Sequence, residues 1–336
     1  MKTALITGIR GQDGAYLAQL LLSKGYKVYG ADRRSADGYS WRLEYLGIQD
    51  QVEIKYMDLL ELPNVIDIIK ELQPDEIYNL AAQSFVGVSF NQPLVTSQIN
   101  AIGVLNLLEA IRHYSPESKF YQASTSEMFG GSTEVLNENS EFKPKSPYAT
   151  AKLFAHNSVI NYRESFDLFA CCGILFNHES PLRGFEFVTR KITDGIARIK
   201  LGLADKLILG NLEAQRDWGY APEYVNAMWL MLQQDKPDDF AIATNTTVSI
   251  KTFIDHVCAE AGCFLEWQGS GKDLSGIIDG KISIEISDKF YRPNDVEILK
   301  GDATKAHKIL NWKPETFMPE LVKIMYQADF ERLSKQ

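Results

Sequence analysis

Cysteine is scarce: Cys171, Cys172, Cys258 and Cys263 are the only four in 336 residues. So few thiols exclude a disulfide-stapled scaffold and predict a reducing, cytoplasmic setting. Cys258 and Cys263 have no second ligand pair at zinc-site spacing, so no structural metal is expected. Basic residues are also short, 35 against 44 acidic ones, which leaves a net charge of −9. That balance argues against a general nucleic-acid binder, which carries a basic face. It still allows an anionic ligand, because a few arginines and helix termini can outweigh a distant negative average. Met1 to Thr7 reach Gly8 too soon for a signal peptide, and no stretch reads as long and apolar enough to cross a membrane. Repeats and low-complexity tracts are missing as well. The rest, 45% hydrophobic and 24% charged residues, is the ordinary balance of a globular chain with a sizeable core.

The first half alternates short β-rich runs with amphipathic helical runs. Strands are expected at Thr3–Thr7, Lys27–Asp32, Val52–Met57, Glu76–Ala81, Lys119–Ser124 and Leu168–Phe176. Helices are expected at Asp13–Ser23, Leu62–Leu72, Val95–His113 and Pro147–Ser165. Such alternation predicts an α/β fold, a Rossmann-type doubly wound parallel sheet with its ligand at the C-terminal strand ends. Beyond Phe176 the pattern turns irregular, with helices at Phe187–Leu201, Pro222–Gln233, Ala303–Leu310 and Pro319–Leu333, and short strands at Leu207–Leu209 and Phe240–Thr244. Gly269–Gly280 reads as a glycine-rich loop. Residues 1–176 are therefore expected to form a dinucleotide-binding domain to which segments near 215–245 return. Residues 177–336 would mainly form a smaller, interleaved substrate lobe.

Between the first strand and first helix lies Gly8-Ile9-Arg10-Gly11-Gln12-Asp13-Gly14. Gly8, Gly11 and Gly14 permit unusual backbone angles and close approach of a pyrophosphate to the helix N-terminus, with Gln12 and Asp13 beside it. At this junction of an alternating fold the pattern points to a nicotinamide dinucleotide. The end of the second strand bears on which one. Asp32 suits the ribose hydroxyls of NAD, whereas Arg33 and Arg34 suit the 2′-phosphate of NADP. The arginine pair favours NADP, and Asp32 keeps NAD open. Asp58, after the third strand, is placed to accept from the adenine amino group.

Tyr148 and Lys152 stand four apart at the start of a helix, on one face. A phenol titrates near ~10, so a tyrosine base needs a nearby cation, and Lys152 is expected to lower its pKa. Ser124-Thr125-Ser126-Glu127 closes the fifth strand at the ligand-facing edge. Thr125 can bond the same substrate oxygen that Tyr148 deprotonates. Glu127 goes beyond what a dehydrogenase or epimerase needs, since it supplies a base for a carbon next to a newly formed ketone.

Several long runs then resemble the GDP-mannose 4,6-dehydratase family: Thr7 to Gly14, Tyr78 to Ser84, Tyr121 to Glu127, Ser146 to Lys152 and Gly173 to Pro181. Phe187 to Lys191, Arg216 to Gly219, Tyr291-Arg292-Pro293 and Trp312-Lys313-Pro314 extend the likeness over essentially the whole chain. The resemblance implies an internal redox reaction on a GDP-sugar. Tyr148, assisted by Thr125, would take the C4 hydroxyl proton while hydride leaves C4 for NADP. Glu127 would then remove the C5 proton, water would depart from C6, and the hydride would return to C6. It also implies that Lys152 bonds the nicotinamide ribose and that Leu80 lines the cofactor. Ser84, Ser126, Asn177, Lys191, Arg216 and Arg292 would bind substrate, and Ser180 would touch sugar or phosphate oxygens. His178 is expected to hold its loop. A homodimer or homotetramer is implied too, through two long helices flanking the sheet, with the loop of Tyr39 and Trp41 as a second interface. Asp32, Lys145 and Asn294-Asp295 depart from the family pattern, and none removes a catalytic group.

Overall fold

The computed structural model describes residues 1–35, 40–290, 294 and 296–335. Six strands run through the first half: β1 (Thr3–Thr7), β2 (Lys27–Asp32), β3 (Glu53–Tyr56), β4 (Glu76–Asn79), β5 (Lys119–Thr125) and β6 (Ala170–Leu175). With Phe240–Ile242 they form a parallel sheet in the order Phe240–Ile242, β6, β5, β4, β1, β2, β3. The order reverses between β1 and β4, which opens a crevice at their C-terminal ends. The central strands are apolar on both faces, as a sheet covered by helices on each side requires. On one face Leu17, Leu21, Val225 and Met228 pack against Ala4, Ile6 and Tyr121; on the other, Val65, Ile69, Leu107 and Ile111 pack against Leu5, Ile77 and Phe120.

Most expected elements lie within two residues of those observed, and Thr3–Thr7, Lys27–Asp32 and Leu62–Leu72 match end to end. Three readings need correction. Gly269–Gly280 is not a loop: Leu265–Gln268, Ser275–Ile278 and Lys281–Ile286 form an antiparallel meander completed by Leu207–Leu209. Ile250–Glu260, unassigned from sequence, is a helix capped by Ser249, whose Oγ accepts from Thr252 N.

The third concerns membrane spans. Pro93–Tyr114 is continuously helical over 22 residues, and by length and composition it could cross a membrane. Half of its most apolar window is buried within the fold, where Val104, Leu107, Leu108 and Ile111 meet the sheet. Its apolarity thus serves core packing along much of its length. The turn at Gln98–Ile102 widens to π geometry, and Asn100 faces inward there. Asn100 Oδ1 accepts from Gln83 N (2.8 Å) and its Nδ2 donates to Gln83 O (2.9 Å), which clamps the loop after β4.

After β6 a second apolar cluster gathers Ile192, Ile196, Phe253, Val257, Ile284, Leu321 and Met325. A buried ion pair ties its helices Val188–Lys200 and Met318–Ser334 together. Arg190 Nη2 lies 2.6 Å from Asp329 Oδ1, and the other carboxylate oxygen accepts from Thr193 Oγ1 at 2.6 Å. Removing one partner of a buried pair strands the other charge. Asp329→Ala is expected to lose roughly 3–5 kcal/mol of stability, whereas Arg190→Met with Asp329→Leu loses less than the two single changes added together. Thermal and urea melts of the three variants check this, and strict additivity would show that the pair does not couple the helices.

Candidate active site

The crevice at the strand ends is shaped first by glycine. Gly8 has φ +68°, and a Cβ there would lie 2.8 Å from Ala81 N. A Cβ on Gly14 would lie 2.4 Å from the Gly8 carbonyl oxygen. The helix Gln12–Ser23 that follows has no side-chain cap at Gly11. Its first N–H groups are thus left for an anion, and Gly11, Gln12, Asp13 and Gly14 line the cavity there. Leu80 and Ser84, on the loop that Asn100 clamps, line the same cavity.

Two local devices bring the catalytic candidates to this cavity. Thr125 ends β5 and its Oγ1 accepts from Glu127 N (3.2 Å), capping a single 3₁₀ turn, Ser126–Phe129. Gly130 closes that turn at φ +71°, where any Cβ would collide with Lys143 O. Ser146 caps the helix Pro147–Phe166, its Oγ accepting from Ala149 N (3.1 Å), and Pro147 starts it with a preset φ. Tyr148 and Lys152 consequently face the cavity beside Thr125, Ser126 and Glu127. The Thr125 hydroxyl stands beside the Tyr148 phenol on the cavity wall.

Electrostatics at the pair differs from expectation. Burial pushes the Tyr148 phenol up to about 12, the Glu127 charge adds to that, and the Thr125 hydrogen bond and Arg183 only partly offset it. Burial likewise pulls the Lys152 ammonium down to about 8. Lys152 Nζ sits 5.9 Å from the centre of the Tyr148 ring and donates to Ala123 O at 2.9 Å. The phenol is thus raised and not lowered, because desolvation dominates at both groups.

A second cavity of about 680 Å³ adjoins the first and shares Glu127, Asn177, Arg183, Glu186 and Phe187 with it. Lys191 and Arg216 line it. Lys191 Nζ lies 3.5 Å from the centre of the Phe290 ring, and Arg216 Nη1 donates to Gln215 O and Glu297 O. Strand pairing explains the convergence: Asn177–Glu179 runs parallel to Trp218–Tyr220, so the segments of Asn177 and Arg216 meet side by side. A third groove, at the ends of β2 and β3, is lined by Asp32, Arg33, Arg34, Ser35, Asp58 and Asn64. Arg292, Asp295 and Tyr39 lie outside the described residues.

Ser180 corrects the sequence reading. It is fully buried, donates to Gln12 Oε1 at 2.8 Å and accepts from Leu182 N, so it braces the loop and lines neither cavity. Arg42, Arg183 and Glu186 line the first cavity and were missed. Arg183 pairs with buried Glu179 (Nε–Oε2 3.1 Å) and lies 3.6 Å from the centre of the Phe187 ring. The Arg-Gly after Glu-Ser-Pro was the only local signal for it.

His178 bonds Phe176 O through Nδ1 and Asp13 Oδ2 through Nε2, each at 2.8 Å, and stacks on Tyr224. Burial opposes charge on both partners, but each outweighs it for the other: Asp13 is held at about 2 and His178 is raised. The imidazolium then contributes stability fully below pH 6.5, and this is lost as pH rises through its raised folded value. The Asp13 contribution is present above about 3.8 and fails as pH falls through about 2. His178→Gln should lower the melting temperature by roughly 2–4 °C at pH 6, with the gap to the parent protein narrowing toward pH 9. A gap that stays constant over melts from pH 5.5 to 9.5 would rule the ion pair out.

The comparisons with known proteins agree in one direction. A family model described as GDP-mannose 4,6 dehydratase matches residues 5–325. The chain belongs to that family. It is 48% identical to the GDP-mannose 4,6-dehydratase of Sinorhizobium fredii, over 99% of this chain and 97% of that one. Among solved structures, RMD from Pseudomonas aeruginosa complexed with NADPH superposes at TM-score 0.77 and 22% identity, over 99% of this chain and 100% of that one. The dTDP-glucose 4,6-dehydratase from Bacillus anthracis in complex with NAD superposes at TM-score 0.81 and 20% identity, over 100% and 98%. These two similarities establish the Rossmann-type fold.

Proposed function

We propose that this chain is a GDP-mannose 4,6-dehydratase that uses NADP and yields GDP-4-keto-6-deoxymannose. The observation that carries the reading is Glu127 on the wall common to both cavities, beside the Thr125, Tyr148 and Lys152 that line the first. The residues present fit a dinucleotide: an uncapped helix N-terminus meets glycines that leave no side chain in the way, and a groove with Arg33 and Arg34 continues past it. NADP, when bound, supplies an acceptor and later a donor of one hydride. Tyr148 and Thr125 hold the C4 hydroxyl of the sugar, and Tyr148, in its phenolate form, takes its proton. Once C4 is a ketone the neighbouring C5–H is acidic enough for a carboxylate, and Glu127 removes it as the C6 hydroxyl leaves as water. Lys152 has three donors and gives one to Ala123 O, which leaves the others for a ribose hydroxyl. Asn177, Lys191, Arg216 and Arg292 would hold the GDP end, where a diphosphate suits guanidinium forks and an ammonium. Gly8, Gly11, Gln12, Asp13, Gly14, Arg33, Asp58 and Leu80 would hold the cofactor, and Ser84 and Ser126 the sugar.

Self-association is part of the same reading. Leu94, Val95 and Ile102 on Pro93–Tyr114, with Phe154 and Phe166 on Pro147–Phe166, are exposed. Pairing these two helices with a second copy would cover them as a homodimer or homotetramer. The four free thiols suit a cytoplasmic location.

Incubation with GDP-mannose in D2O, followed by proton NMR, tests the proposal. A 6-deoxy-4-keto sugar should appear with deuterium at C5 and no net change in NADPH. Glu127→Gln should lower turnover by roughly 10²–10⁴-fold while cofactor binding is kept. A folded, cofactor-loaded protein that leaves GDP-mannose unchanged would overturn the substrate assignment.

A further inference from the structure

We propose that Arg10 sets the cofactor preference: it cancels the Asp32 carboxylate and turns the adenosine end of the site toward a 2′-phosphate. The inference rests on the dinucleotide reading above and is independent of which sugar the enzyme takes. A carboxylate at the end of the second strand is the residue that bonds the ribose hydroxyls of NAD, and a dianion beside it is repelled. Taken alone, Asp32 would select against NADP. The overall fold does not decide the matter, since similar chains of this architecture are solved with NADPH and with NAD.

Both oxygens of Asp32 are already engaged. Oδ2 lies 3.3 Å from Arg10 Nε, and Oδ1 accepts from Arg33 N at 2.8 Å. A ribose diol would therefore meet a carboxylate whose charge Arg10 already offsets and one of whose oxygens already accepts from the backbone. Arg10 is itself held at both ends. Its Nη1 donates to Ser35 Oγ at 2.6 Å, and its carbonyl oxygen accepts from Arg42 Nη1 at 3.0 Å. The Arg10 and Asp32 side chains are 16% and 29% exposed, so the pair is partly shielded and screened less than one on an open surface.

The charge count decides the sign. Arg33 and Arg34 against Asp32 and Asp58 bring the groove to zero. Arg10, touching Asp32 and Ser35 of its lining, raises it to +1. A phosphate monoester carries about −1.5 to −2 at pH 7, so this one residue moves the groove from indifferent to attractive. Arg10 also belongs to the turn between Gly8 and Gly11. The segment that would receive the pyrophosphate is thereby linked to the segment that would read the ribose, through one side chain.

The test measures dissociation constants for NADPH and NADH by nicotinamide fluorescence, on purified protein stripped of cofactor and without any sugar nucleotide. The parent protein should bind NADPH about ten-fold or more tighter than NADH. Arg10→Thr should weaken NADPH by about ten-fold or more and leave NADH within a few-fold. Adding Asp32→Asn to that variant should restore most of the NADPH affinity. Asp32→Asn alone, which keeps Arg10, should retain the NADPH preference and guards against a misfolded Arg10 variant. A parent protein that prefers NADH, equal losses for both cofactors in Arg10→Thr, or loss of the preference in Asp32→Asn would each overturn the proposal. Because no sugar is present, failure of the GDP-mannose assignment would leave these outcomes unchanged.

Discussion

The approach of the β1 and β4 ends is the constraint on which the cavity depends. Gly8 can sit against Ala81 only without a Cβ, and that contact brings the Thr7 hydroxyl within reach of the opposite strand. Thr7 Oγ1 donates to Asn79 Oδ1 and accepts from the N–H groups of Leu80 and Ala81. Asn79 Nδ2 passes the connection to Gln122 Oε1, Gln122 Nε2 donates to Ala123 O, and Lys152 donates to the same carbonyl. A chain of hydrogen bonds therefore runs from the glycine turn to Lys152, across three strands and into a helix. All of its members except the Leu80 loop are largely buried, so a fault at one would leave unsatisfied polar groups along the line.

Burial has opposite consequences on the two sides of this line. Away from the cavity, carboxylates are neutralised by dedicated partners: Asp329 by Arg190 and Arg332, Asp239 by Arg163. On the cavity side Tyr148 and Lys152 are left with hydrogen bonds but no strong counter-charge, and both are driven toward their neutral forms. A neutral phenol and a partly neutral amine near pH 8 form a pair poised to exchange protons with a ligand rather than with each other. The arrangement is costly to hold and is useful only where a ligand completes it.

The first 176 residues were legible because a parallel sheet obeys local rules. Each strand is short and rich in β-branched, aromatic or small apolar residues, and the longer helices show an apolar period of their own. The meander at 265–286 was not, because glycine has two uses there. Gly269, Gly271 and Gly280 take positive φ in turns, but Gly276 lies within a strand, where its missing side chain makes room for Ile284. Composition cannot separate those cases. The site divides in the same way. Residues read from motifs between Gly8 and Lys152 converge on one cavity, apart from Arg33 and Asp58 on the neighbouring groove, because their motifs mark the ends of strands that the sheet aligns. Arg183 and Arg10 were invisible because their importance comes from what they meet, Glu179 and the cavity wall in one case, Asp32 in the other.

The location of Glu127 explains how one wall can serve two chemistries. Proton removal at C4 and at C5 concerns neighbouring carbons, so the two bases must be close without competing for the same oxygen. Thr125 caps the 3₁₀ turn Ser126–Phe129 by accepting from Glu127 N, which ties its hydroxyl to the residue that carries the carboxylate. Any shift of the turn would move the carboxylate and the hydroxyl together. Thr125 and Glu127 are thus held by a single capped turn, closed by a Gly130 that no other residue can replace without clashing with Lys143 O, while Tyr148 comes from the helix Pro147–Phe166. An epimerase needs no such fixed spacing, since its chemistry stays at one carbon. The capped turn Thr125–Gly130 is therefore the local feature that adds a carboxylate to the wall shared with Tyr148 and Lys152.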